Sequence, residues 1–269
     1  MAHVATTDSH IIDVRTPSVA RMYDWLLGGI ENYESDRDAC AALLEVAPSS
    51  REMALTNRAF LRRVVRYLAQ ECGVRQFLDH GSGLPTQDNV HQIAQSIAPA
   101  SRVVYIDNDP IVLAHGRTAL EENNQTAVIE ADMRDTAGIF AHPDVKRLIK
   151  PDEPTAALFV SVLHCLPDAD DPGALVRKVA RLLAPGSFLV VCQLVSDRPA
   201  VREGVTAMME RATHGKWGRV REKEEVAAYL DGMDVMPPGL VDVTRWRPDN
   251  EVVPRRPEEW EEWGGVVRL

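Results

Sequence analysis

Cysteine is scarce in this chain: four in 269 residues, at positions 40, 72, 165 and 192, with no Cys-x-x-Cys pair and no zinc-type spacing. They read as reduced thiols. The eight histidines form no His-Glu-x-x-His arrangement, so no motif calls for a structural or catalytic metal. Basic residues are also outnumbered, 30 Lys and Arg against 40 Asp and Glu, for a formal net charge of −10. That balance argues against a nucleic acid as the main partner, because such binding neutralises phosphates with clustered Lys and Arg. No apolar run approaches the roughly 20 residues of a membrane helix, and the longest, Ala156 to Leu166, contains His164. Met1 to Asp13 is polar where a secretory signal would be apolar, so the expected location is cytoplasmic. Internal repeats and low-complexity segments are missing too. What is present is an ordinary globular composition, 45% hydrophobic and 26% charged. At roughly 150 residues per domain, one large domain with or without an appendage is expected.

Residues 1–14 read as disordered, and 15–74 as an all-helical region. A first helix is expected from near Pro17 to the Gly28-Gly29 stop, a second over Asp36 to Val46, and a long third over Ser50 to Gln70. The third carries Arg58, Arg62, Arg63 and Arg66 opposite its apolar face, a stripe that reads as a solvated surface. From residue 75 short apolar strands alternate with helices: Arg75 to Leu78, Arg102 to Ile106, Ala127 to Glu130, Ala156 to Leu163 and Ser187 to Leu194. Asp109-Pro110 and Asp171-Pro172 each supply an N-cap followed by proline at the first helical position. Near-continuous apolar strands alternating with helices predict a parallel sheet covered on both faces, with ligands beyond the carboxyl ends of its strands. After helices near 199–213 and 222–231, Gly239 to Trp246 and Gly264 to Leu269 have no crossover helix between them, only a Pro-rich acidic loop, and are expected to pair antiparallel.

The most informative stretch is Phe77-Leu-Asp79-His80-Gly81-Ser82-Gly83, a strand entering a glycine turn before a helix. A Gly-x-Gly alone is weak evidence. It is sharpened by Asp79 before it and by Asp107, 26 residues after Gly81 at the end of the next strand, where such folds hold ribose hydroxyls. Asp132 and Met133, after the third strand, offer a carboxylate to an adenine amino group and an apolar side chain to its face. Two cofactor classes use this geometry. A dinucleotide needs a third glycine so that pyrophosphate can sit on the helix N-terminus, and Thr86 stands there instead. S-adenosylmethionine brings no phosphate but two positive groups, which suit Asp79.

These residues, with Ser18 to Gly29, Asn57 to Leu61, Val104 to Val112, Ala131 to Asp135, Val162 to Asp168, Ala184 to Ser187 and Thr244 to Pro248, resemble the class I S-adenosylmethionine-dependent methyltransferases. Within them the chain is similar to the family catalogued as DUF574, S-adenosyl methyltransferase family 19, over residues 15–269. The resemblance implies a Rossmann-like α/β fold, with a mostly parallel seven-stranded sheet and an antiparallel C-terminal strand. It divides the chain into a disordered start, 1–14, a helical N-terminal lid, 15–74, and the methyltransferase domain, 75–269. Asp79, Gly81 and Gly83 would line the methionine part, and Asp107 with Asn108 the ribose. Asp132 and Met133 would frame the adenine, and Ser161 to His164 would lie beside the sulfonium. Arg21 would pair with the cofactor carboxylate. His80 departs from the pattern, since an apolar residue is expected there.

Methyl transfer from a sulfonium is an in-line displacement, so alignment matters most. A base is needed only where the acceptor must lose a proton. His164 is the first candidate, with a structural hydrogen bond as its alternative, and Tyr23 and Asp24 come next. Asn32 and Tyr33 read either as ligand contacts or as an ordinary turn. Asp168, Asp170 and Asp171 read as helix capping rather than as a cation site. The expected function is methyl transfer to a small-molecule acceptor, with an NAD(P)-linked oxidoreductase and a non-catalytic S-adenosylmethionine-binding protein as rivals.

Overall fold

The computed structural model describes residues 13–215, 217–249 and 259–269. The stretch expected to be disordered thus lies outside the described residues, save Asp13 and Val14, as does much of the acidic loop before the last strand. In chain order, three helices come first: α1 (Val19–Leu26), α2 (Glu34–Val46) and α3 (Ser50–Gln70). Strands and helices then alternate as β1 (Gln76–His80), α4 (Val90–Ile97), β2 (Arg102–Asp107), α5 (Pro110–Ala119) and β3 (Thr126–Glu130). Next come α6 (Thr136–Ala141), α7 (Pro143–Leu148), β4 (Ala156–Val160), α8 (Pro172–Ala180) and β5 (Phe188–Val195). The chain continues through α9 (Pro199–Ala212), α10 (Lys223–Ala227), β6 (Asp234–Val235), β7 (Val241–Asp242) and β8 (Glu261–Arg268).

Among the described residues the sheet has eight strands in the order β3-β2-β1-β4-β5-β8-β6, with β7 paired to β8 beside that path. The first five run parallel, and β8 lies antiparallel to β5, β6 and β7. The count exceeds seven because β6 and β7, two residues each, both fit along the long β8. Alternate strand residues feed opposite faces. Phe77, Val103, Leu158 and Val190 pack under Phe60, Val64 and Leu68 of α3 and Val90 and Ala94 of α4. Leu189, Phe159 and Ala157 meet Val176 and Val179 of α8. Leu78, Val104 and Ile129 meet Ile139, Val145 and Leu148 of α6 and α7. Burying each such large side chain contributes about 1.5–3 kcal/mol. A separate cluster joins α1, α2 and α9 through Met22, Leu26, Leu43, Val205 and Met209, with Met53 and Trp217.

Several boundaries differ from expectation for local reasons. Ser18, in extended conformation, is the residue before α1, so Pro17 precedes the cap instead of opening the helix. The fourth strand stops at Val160 because Ser161 adopts φ +58° and turns the chain. The run from Gly239 to Trp246 keeps only two strand residues. Asp242 Oδ1 accepts bonds from Thr244 N (2.9 Å) and Oγ1 (2.7 Å), which winds the chain into a tight turn. Trp246 then drops into the core, edge-on to Phe60 at 5.5 Å and Tyr67 at 5.6 Å. The proline caps are as expected: Asp109 Oδ1 accepts from Ile111 N at 2.9 Å and Asp171 Oδ1 from Ala174 N at 2.8 Å.

Candidate active site

At β1 and β4 the order of the sheet reverses, and the carboxyl ends of the strands there open a cavity of about 570 Å3. Such a crevice is where open α/β sheets bind ligands. Its floor begins with the glycine turn. Gly81 has φ +70°, and a Cβ on it would lie 2.3 Å from Val162 Cγ2. Only glycine fits that position. Gly83, at φ +67°, donates its N–H to Asp107 Oδ2 at 2.9 Å, while Asp107 Oδ1 accepts from Asp109 N at 2.9 Å. Asp107 therefore ties the turn to the start of α5 and keeps lone pairs for a ligand, a carboxylate having about four acceptor sites. Burial raises its pKa, and the two backbone N–H groups oppose the rise.

Asp79 is buried at the cavity wall and has no ion-pair partner among the described residues. Desolvation pushes its pKa up to about 7; the Arg58 guanidinium pulls it down and the Asp107 charge pushes it up. Such a carboxylate is poised to take up a cation. Asn108, Asp132 and Met133 line the same half of the cavity. Asp132 is held by Arg134, whose Nε lies 2.9 and 3.0 Å from its two oxygens, so its pKa is lowered. Arg134 in turn reaches Asp170 at 2.6 Å.

The other half of the cavity is built from distant parts of the chain. Met22 and Tyr23 of α1, Met53 and Asn57 of α3, Met209 of α9, and Trp217 and Trp260 wall an apolar chamber. Tyr23 donates its hydroxyl to Asn57 Oδ1 at 2.7 Å. Burial drives its pKa far up, so it stays a donor and is no anionic base. His164 lines the cavity with its ring 5.7 Å from that of Trp217, and its buried Nδ1 has no partner among the described residues. Burial first, then the nearby Arg221 charge, lower its pKa to about 3. At neutral pH it is uncharged and a poor proton acceptor, since a base works best with a pKa near the working pH.

Ser161 also faces the cavity, donating its Oγ to Glu262 Oε1 at 2.5 Å. Glu262, on β8, is a cavity residue that the sequence reading missed. It lies in Glu258-Glu259-Trp260-Glu261-Glu262-Trp263, which reads as an acidic loop, and only strand register reveals that it is buried. Asn57 and Arg58 belong to a motif to which the sequence alone gives no role. Arg58 lines the cavity while donating to the carbonyls of Gln87 and Asp88 at 3.1 Å. The rest of its stripe clamps loops instead of facing water alone: Arg62 pairs with Asp88 at 3.0 Å and Arg63 donates to Trp246 O at 3.1 Å.

Four expected contacts, Arg21, Asp24, Asn32 and Tyr33, are not brought to the cavity. Arg21 is buried against Asp36, Nε to Oδ2 2.7 Å, and donates to Thr16 O at 2.6 Å; its guanidinium is spent on the helical region. Asp24 accepts from Glu31 N (2.8 Å) and Asn32 Nδ2 (3.0 Å), so Asp24 and Asn32 shape the glycine break. Tyr33 lies beneath Arg21, whose guanidinium is 5.2 Å from its ring centre. His80, the residue expected to be apolar, is buried and stacked on Phe159 at 4.4 Å, and burial lowers its pKa to about 4.

Residues 5–269 match the model of a family described as S-adenosyl methyltransferase. A crystal structure of a candidate methyltransferase from Thermobifida fusca is 41% identical, covers 95% of this chain and 96% of that one, and superposes with a TM-score of 0.86. A DUF574 family protein from Streptomyces avermitilis is 34% identical, covers 96% and 99%, and gives 0.87. A mitomycin 7-O-methyltransferase, 19% identical with a TM-score of 0.50 over 95% of this chain and 74% of that one, shares the fold alone. A comparison with curated proteins finds no match.

Proposed function

The chain belongs to the S-adenosyl methyltransferase family, and we propose that it methylates a small molecule held in the apolar chamber beside the glycine turn. It is an S-adenosylmethionine-dependent methyltransferase, and that membership sets aside the oxidoreductase reading. The donor supplies an electrophilic methyl group on a positively charged sulfur. Its binding is supported by a fit of charge and space: a buried, unpaired Asp79 for the amino group, and a glycine turn that a Cβ would fill. Asp107 and Asn108 would hold the ribose, Asp132 and Met133 the adenine, and Ser161 would stand near the sulfur.

One observation carries the choice of a small acceptor. The cavity runs without interruption from the glycine turn to a chamber of methionine and tryptophan side chains roofed by α1, α2 and α9. Its volume lies within the range of about 300–1,000 Å3 typical of small-molecule sites. Within the helical N-terminal region α1 and α2 act as the lid, whereas α3 belongs to the core of the sheet. The protein's part is alignment: the chamber fixes the nucleophile against the methyl group and excludes water.

The test is a transfer assay with methyl-labelled S-adenosylmethionine and a cell extract split into small-molecule and macromolecular fractions. Label is expected in the small-molecule fraction alone. Label in protein or nucleic acid would overturn the choice of acceptor.

A further inference from the structure

Glu262, like Asp79, is a buried acid with no neutralising cation among the described residues, but it lies on the acceptor side of the cavity. Its carboxylate accepts two hydrogen bonds, from Ser161 Oγ at 2.5 Å and Cys192 Sγ at 2.9 Å, and meets no cation at ion-pair distance among the described residues. Its neighbour Glu261 illustrates the usual solution, pairing with Lys223. A buried acid left unpaired costs stability, so such groups cluster where chemistry needs them. Glu262 also faces the cavity, at the boundary between the Ser161 turn and the apolar chamber.

The hydrogen bonds around it form a chain across the molecule. Tyr23 donates to Asn57, Asn57 Nδ2 lies 3.7 Å from Cys192 Sγ, and Cys192 donates to Glu262. Helix α1 is thereby connected to β8. The titratable groups facing Glu262 are Tyr23 from α1, Cys165 from the turn after β4, Cys192 from β5 and Asp242 from β7. Burial raises the pKa of each cysteine and of Tyr23, so all three stay protonated at neutral pH. His164, the other base in reach of the chamber, is held neutral and weak.

We propose that Glu262 is the proton acceptor for a protic nucleophile, a hydroxyl or an amine, carried on an apolar molecule in the chamber. The inference rests on the methyltransferase reading above. The nucleophile forms its bond to the methyl carbon as the carbon–sulfur electron pair stays on sulfur. Its proton passes to Glu262, which afterwards releases it to water. Burial, opposed by the bonds from Cys192 and Ser161 and aided by the Asp242 charge, pushes the carboxyl up to about 7, matched to accepting a proton near neutrality. Two of the roughly four acceptor sites of the carboxylate remain for the nucleophile.

The experiment compares wild type with Glu262→Gln, which keeps the shape and the acceptor for Ser161. Infrared difference spectra of the cofactor-free protein follow the protonated carboxyl band from pH 5 to 9, with Asp79→Asn separating the second buried acid. A band titrating near pH 7 that vanishes in Glu262→Gln is expected; a band unchanged by that substitution overturns the proposal. Calorimetry with S-adenosylhomocysteine keeps the cofactor reading separate. Loss of binding by wild type sinks that reading, and with it the proposal that rests on it, whereas binding within about twofold in Glu262→Gln shows an intact cofactor site. Transfer from labelled S-adenosylmethionine is then measured on planar phenols and aryl amines. In Glu262→Gln kcat is expected to fall at least about 100-fold and to lose its rise with pH below 7. Cys192→Ala, a second variant outside the cavity wall, is expected to move the wild-type profile upward by about one pH unit. Equal profiles in wild type and Glu262→Gln overturn the proposal. So does a wild type that binds S-adenosylhomocysteine but labels neither phenols nor amines.

Discussion

The two halves of the cavity are built by different kinds of chain. The half proposed for the cofactor comes from consecutive strand ends: Asp79, Gly81, Gly83, Asp107 and Asp132 lie within 54 positions of one another. They sit on neighbouring parallel strands, so sequence order and spatial order coincide. The acceptor half is assembled from α1, α3, the Ser161–Trp217 region and β8, with Tyr23 and Glu262 at nearly opposite ends of the sequence. The first half is polar and backbone-bonded; the second is methionine and tryptophan around one acid. Methionine fills irregular space and adapts. On the proposed function, these differences separate a fixed cofactor site from an adaptable acceptor site.

That separation is tested most severely by removing one side chain from each half. Asp107→Ala removes the proposed ribose contact and the bond that holds Gly83, and the expected cost is about 3 kcal/mol, more than about 100-fold in S-adenosylhomocysteine affinity. Met53→Ala, from the chamber wall, is expected to leave that affinity within about twofold. Calorimetry of both variants decides the matter, and a comparable loss in each would erase the distinction.

A smaller effect is expected at Gly81. Alanine there must hold a positive φ and push Val162 aside, together about 2–3 kcal/mol. For a chain of this size that lowers Tm by about 5–10 °C in a thermal melt. An unchanged Tm would show that the glycine turn is less constrained than its geometry implies.

The smallest effect concerns pH. Asp79 and Glu262 hold protons in the folded state up to about 7 that the unfolded chain releases near 4. Their contribution is therefore fully present below the unfolded pKa and lost as pH rises through 7. His80 and His164 act in the opposite sense, with folded values of about 4 and 3, so their contribution is present above 6.5 and lost as pH falls. Between about 4.5 and 6.5 the two pairs offset each other. Above that window the carboxyls outweigh the residual histidine titration, and Tm of the cofactor-free protein is expected to fall by about 1–3 °C from pH 6.5 to 7.5. Saturating S-adenosylmethionine should lessen the fall by pairing with Asp79. A flat or rising Tm in the free protein would contradict the two raised carboxyls.

The same contrast explains what the sequence could say. Strand periodicity, the Asp109-Pro110 cap and the Gly81-x-Gly83 turn are local signals, and each marked its element. Arg21 shows the limit: the family resemblance offers it to the cofactor carboxylate, but Asp36 folds back to take its guanidinium. Glu262 is the converse. Its meaning depends on β8 lying against β5, which brings Leu194 opposite it and Cys192 and Ser161 onto its oxygens. No spacing within the sequence encodes that meeting. His164 lines the cavity, but burial, a property of the packed chain that no motif encodes, lowers its pKa and weakens it as a base.

The central claim is that one continuous cavity holds the methyl donor on the glycine turn and the acceptor in the chamber. A crystal structure of the full chain with S-adenosylhomocysteine tests it most directly. The account predicts ribose hydroxyls on Asp107, the amino group at Asp79 and sulfur facing the chamber near Ser161. The ligand bound elsewhere, or with its sulfur turned away from the methionine and tryptophan walls, would contradict it.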